Sequence, residues 1–84
     1  LLMLKELRVA GNVLQSLTPK IGLCKALAVL DLSDNMLKEL PSEIGMLSQL
    51  STLLASGNEL EMLPDSVGDM RGLQKLVLGY NKLK

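Results

Sequence analysis

Eighty-four residues make one small domain at most, and a chain of this length buries only a modest core. The hydrophobic fraction is 48%, yet Tyr80 is the one aromatic and Phe and Trp are absent, so leucine must fill the interior in many similar small layers. Nine basic and nine acidic residues cancel, which removes the electrostatic case for nucleic acid or an anionic membrane surface as partner. No apolar run approaches the ~18 residues of a membrane span, and no charged leader with a cleavage site opens the chain. The lone Cys24 can form no intrachain disulfide and suits a reducing, cytoplasmic compartment.

The first predicted strand covers residues 6–10, with Leu7 and Val9 facing inward and Glu6, Arg8 and Ala10 facing out. Asn12 closes the turn after it, and Leu14 and Leu17 lead back along a return path. In "LTPKIG", Pro19 stands one residue later than the prolines of the following units, so a different turn is expected there. Cys24 fills an apolar slot, where inert packing outweighs reactivity or metal binding. The second strand is expected at 29–33, where "LDL" alternates inward Leu30 and Leu32 with outward Asp31. After Asn35, Leu37 and Leu40 turn inward and Pro41 opens a segment in which Ser42 to Leu47 makes a short helical or 3₁₀ turn. The third strand, 52–56, departs from the pattern: Ala55 stands where a leucine would, so either its neighbours fill the space or the core is underpacked. Asn58, Leu60, Leu63, Pro64 and Val67 repeat the preceding unit, and a fourth strand at 75–79 is followed by Asn81.

The asparagines give the period. Asn12, Asn35, Asn58 and Asn81 are spaced by 23 residues, and the apolar positions fall into register once they are aligned. A fixed period of this length signals a solenoid whose turns bury their leucines only by stacking. Each asparagine amide can satisfy backbone groups of adjacent turns that would otherwise be buried unpaired, at a cost of ~1–3 kcal/mol each, so all four are expected to point inward as structural residues.

The chain strongly resembles the leucine-rich repeat family, whose unit reads L-x-x-L-x-L-x-x-N-x-L. Its 23-residue length and the continuations "LPSEIGML" and "LPDSVGDM" are similar to the Ras-group intracellular subclass. The resemblance implies an α/β solenoid. It would be a right-handed curved superhelix with a parallel β-sheet on the concave side and short helical or 3₁₀ turns on the convex side. Residues 1–84 then form about three and a half repeats, cut through at both ends, as in an excerpt of a longer array.

No catalytic constellation stands out: there is no histidine, no phosphate-binding glycine loop and no thiol or imidazole cluster for a metal. Asp31 and Asp34 read as a solvated surface rather than an acid/base pair, so no enzymatic activity, cofactor or small-molecule substrate is expected. What remains is surface. In the family resembled, outward strand positions line the concave face and commonly bind partners. By register they include Arg8, Val29, Asp31, Leu54 and Val77, with Asp34 and Tyr80 extending the rim. Leu54, Val77 and Tyr80 are expected to form an apolar patch with an aromatic anchor, and Arg8 and Asp31 to pair across rungs. Charge is segregated: residues 1–30 carry four bases and one acid, 31–70 one base and eight acids, and 71–84 four bases and no acid. The acids read chiefly as a solubilising surface. The resemblance implies a protein-interaction module of an intracellular scaffold or signalling adaptor, with a small GTPase or a phosphatase subunit as the kind of partner. A regulatory segment of a larger kinase, cyclase or GTPase is the alternative, and a receptor ectodomain a third class.

Overall fold

The computed structural model describes residues 3–84. Four parallel strands lie side by side in chain order: β1 (Glu6–Arg8), β2 (Val29–Asp31), β3 (Thr52–Leu54) and β4 (Lys75–Val77). Between them run three 3₁₀ turns, η1 (Pro19–Leu23), η2 (Ser42–Met46) and η3 (Asp65–Asp69). Equivalent elements begin 23 residues apart, so the predicted solenoid of parallel turns is the observed architecture. Strands pair in zero-shift register: Leu7, Leu30, Leu53 and Leu76 stand on one inward row. Leu30 and Leu53 are fully enclosed, whereas Leu7 and Leu76 on the outer rungs are only partly covered.

The strands are three residues long, not the five expected. Pairing nevertheless continues past them: Val9 N–H donates to Asp31 O at 2.9 Å, Leu32 N–H to Leu54 O at 2.7 Å and Ala55 N–H to Val77 O at 2.9 Å. Three residues past each strand the chain turns left-handed, at Gly11 (φ 73°), Asp34 (φ 56°), Gly57 (φ 70°) and Tyr80 (φ 57°). That conformation swings the chain out of the sheet and delivers the following asparagine beneath it.

The asparagines then tie turn to turn. Asn58 Oδ1 accepts from Leu37 N–H at 3.0 Å, while its Nδ2 donates to Leu32 O at 3.0 Å and Ala55 O at 3.1 Å. Asn35 repeats this with Leu14 N–H, Val9 O and Leu32 O, and Asn81 with Leu60 N–H, Ala55 O and Leu78 O. Asn35 and Asn58 are buried. Asn12 turns the same way, its Nδ2 reaching Val9 O and Ala10 O of its own turn as Asn35 reaches Leu32 O and Ser33 O, but it is exposed. The reason is positional, since it is the overlying turn that buries an asparagine, and no described turn precedes this one.

The first turn differs from the others in its cap and not in its span. η1 occupies the same register as η2 and η3, but its proline sits inside the turn and Thr18 takes the capping place, accepting from Lys20 N–H at 3.2 Å. In η2 and η3 the extended prolines Pro41 and Pro64 hold that place, without a side-chain cap. Below the sheet, Leu27, Leu37, Leu47, Leu50, Leu60 and Ile44 form one continuous core, into which Cys24 fits as a small buried side chain. Ala55 is fully enclosed there, and its carbonyl accepts from both Asn58 and Asn81.

Candidate functional site

The outward side chains of the sheet fall into two rows fixed by strand register. One is Arg8, Asp31, Leu54 and Val77; the other is Glu6, Val29, Thr52 and Lys75. Neighbouring rungs of a parallel sheet lie ~4.8 Å apart, so the first row places a cation, an anion and two aliphatic side chains within ~15 Å. Leu54 and Val77 are half-buried by their neighbours, which leaves an apolar step on the face without engaging the core. Each row can therefore vary without disturbing the inward leucines that carry the fold.

Arg8 works at the basic end of its row. Its guanidinium lies 3.3 Å from Glu6 Oε1 and 3.9 Å from Asp31 Oδ2. Both contacts are at the surface, where such pairs are worth ~0–1 kcal/mol, so they orient the side chain more than they stabilise the fold. Asp31 is the better-held partner: its Oδ1 also accepts from Ser33 N–H at 3.1 Å, fixing the carboxylate at the strand end.

Asp34 and Tyr80 lie elsewhere, on the left-handed turn row beyond the strands. Asp34 leans over Gly57, where an added Cβ would collide with its carboxylate, so Gly57 serves both a positive φ and the seating of its neighbour. Tyr80 stands two turns further on and is 93% exposed. The structure thus brings Leu54 to Val77 in direct register but sets Tyr80 in a different row, with Val29 on the opposite side of Asp31. A bulky residue at positive φ is an outlier that costs ~1 kcal/mol or more, and here it recovers nothing from packing.

Sequence reading passed over one further feature, a groove of about 440 Å³ at the corner where the return path enters η2 and η3. Leu40, Pro41, Leu63 and Pro64 form its floor, Met62 its wall, and Glu39 and Asp65 its polar edges. The available signal was Met62, an apolar residue in the slot that Glu39 holds one turn earlier. Among the described residues no group of histidine, cysteine or carboxylate side chains is placed to hold a metal ion. No helix of the described chain is long and apolar enough to cross a membrane.

Comparison with known proteins agrees with this geometry. The family described as leucine rich repeat matches residues 3–60. A solved leucine-rich repeat protein of Leptospira interrogans is 38% identical and superposes with a TM-score of 0.95, covering 96% of this chain and 21% of that one. The chain thus spans about a fifth of the length of that structure. No curated protein matches it.

Proposed function

Because the chain belongs to the leucine-rich repeat family, whose repeats generally serve as protein-interaction modules, we propose that it is the recognition segment of an intracellular scaffold or signalling adaptor. On this reading residues 1–84 act as one continuous repeat array, and a protein partner binds the open face of the sheet. The observation that carries the proposal is the outward row Arg8, Asp31, Leu54 and Val77, held on a rigid sheet and independent of the core. Leu54 and Val77 supply apolar contact, Arg8 and Asp31 set polarity, and Val29, Asp34 and Tyr80 extend the contact beyond the row. Tyr80 supports the reading in its own way: strain retained at an exposed aromatic is the signature of a side chain kept for contact.

The test is a partner recovered with the complete array and titrated against single alanine variants, with folding checked by circular dichroism. Leu54→Ala and Tyr80→Ala should each weaken binding by about thirtyfold, as expected for truncation of an anchor. Glu43→Ala, on η2, should change it by less than about threefold. Binding that is lost with Glu43→Ala and kept with both sheet-side changes would put recognition on the opposite surface.

A further inference from the structure

The corner groove between the second and third turns has a composition that differs from the sheet face. Its floor is apolar and fixed: Leu40 is buried, and Pro41 and Pro64 hold extended backbones at φ −70° and −66°. Its wall is Met62, 70% exposed, a flexible thioether on an otherwise polar edge of the solenoid. The turns on either side are stitched together by Ser66 Oγ, which donates to Ser42 O at 2.7 Å, so the spacing of the two proline corners is set. The groove, of about 440 Å³, is open to solvent along one side.

Charge selects the occupant. Glu39 and Asp65 line the groove from opposite turns. The ion pairs among the described residues are Arg8 with Glu6 and Asp31, and Lys84 with Glu61, so neither groove carboxylate has a cation within 4.0 Å. The surrounding stretch, residues 31–70, holds one base against eight acids. An apolar floor with two uncompensated carboxylates at its edges matches a side chain with an aliphatic stem and a cationic head. We propose that this groove is a second protein-binding site, separate from the sheet face, which takes a short extended peptide segment alternating leucine-like and basic residues. The leucine-like side chain lies on Leu40, Leu63 and the two prolines against Met62, and flanking Lys or Arg heads meet Glu39 and Asp65.

The experiment is fluorescence anisotropy of the 84-residue chain with a labelled acetyl-Arg-Leu-Arg-Leu-amide probe, beside acetyl-Glu-Leu-Glu-Leu-amide. The basic probe should bind measurably, with an affinity that falls as salt rises, and the acidic probe should not. Glu39→Gln and Asp65→Asn should each weaken binding by about two- to fivefold, and Met62→Ala by about fivefold. Asp69→Asn removes the same charge at the far end of η3 and should leave affinity within about twofold. Amide shifts of Ser42 and Asp65 in the ¹⁵N-labelled chain should move with the basic probe, which also shows that the chain is folded. Equal weakening by Asp69→Asn and Glu39→Gln would reduce the effect to net charge and overturn the proposal. So would saturation by the acidic probe, or an absence of shifts at the groove with the basic one. Because none of these variants lies on the sheet face, the result does not depend on whether that face binds.

Discussion

Gly45 and Gly68 occupy the same slot of successive turns, yet the structure gives them opposite sensitivities to an added methyl group. A Cβ on Gly45 would fall 2.7 Å from Ser66 Oγ and 3.1 Å from Ser66 O, and it would also collide with Ser66 Cβ. Ser66 cannot swing aside freely, since its hydroxyl is bonded to Ser42 O at 2.7 Å and its carbonyl belongs to η3. Gly45→Ala must therefore push the third turn away from the second. Overpacking of this kind costs ~1–3 kcal/mol. Against that stands the entropy gain from replacing glycine in the unfolded chain, ~0.4–1 kcal/mol. The net expectation is a loss of about 1–2 kcal/mol. Gly68 has no atom within 4 Å of the same position, and neither glycine needs a positive φ. Gly68→Ala should then keep only the entropic gain and stabilise the 84-residue chain by ~0.5 kcal/mol. Thermal unfolding followed by far-ultraviolet circular dichroism resolves the two, since 1 kcal/mol moves Tm by ~4–8 °C in a domain of this size. A double variant, Gly45→Ala with Ser66→Gly, should cost less than the sum of its parts, because the second change removes the obstructing side chain. If Gly45→Ala is as stable as Gly68→Ala, or the double variant is strictly additive, the account of turn spacing fails.

Asn58→Ala should cost about 3 kcal/mol by chemical denaturation, because it orphans the buried Leu37 N–H, while the Leu32 and Ala55 carbonyls keep Asn35 and Asn81 as donors. Asn12→Ala, at an exposed side chain, should cost less than ~1 kcal/mol in the same assay, and equal losses would contradict the stacking explanation. Tyr80→Gly should raise stability by about 1 kcal/mol through relief of the left-handed backbone, while weakening binding of a sheet-face partner; a loss of stability would mean that the ring packs in solution. Polar capping turns appended to both ends should sharpen thermal unfolding and suppress association, since Met3, Leu76 and Leu83 are exposed on the outer rungs; light scattering and calorimetry of capped and uncapped chains decide it.

What could be read from the sequence, and what could not, divides along the boundary between one turn and the next. Leu30, Leu32, Asn35, Leu37 and Leu40 keep the same mutual spacing in every unit, because each turn must present the same inward groups to its neighbours. That regularity made the solenoid, the parallel register and the 3₁₀ turns readable. The strands end at Arg8, Asp31, Leu54 and Val77, short of the five residues expected, although hydrogen bonds between turns run on to the left-handed Gly11, Asp34 and Gly57. The displaced Pro19 changes the cap of its turn and not the span, which matches η2 and η3. The chain needs only an extended residue at the cap, and Thr18 supplies one at φ −62° and ψ 138°. Asn12 carries the same residue as Asn58 in the same slot, yet burial is conferred by the turn lying against it, which no single unit encodes. The corner groove is invisible for a related reason. Its floor residues belong to two turns, and Met62 becomes informative only once stacking places it across from Glu39. In a stacked fold the surfaces that distinguish one chain from another thus arise between units, where side chains 23 residues apart meet. Recognition is best sought in rows such as Arg8, Asp31, Leu54 and Val77, which vary from rung to rung while the inward leucines stay constant.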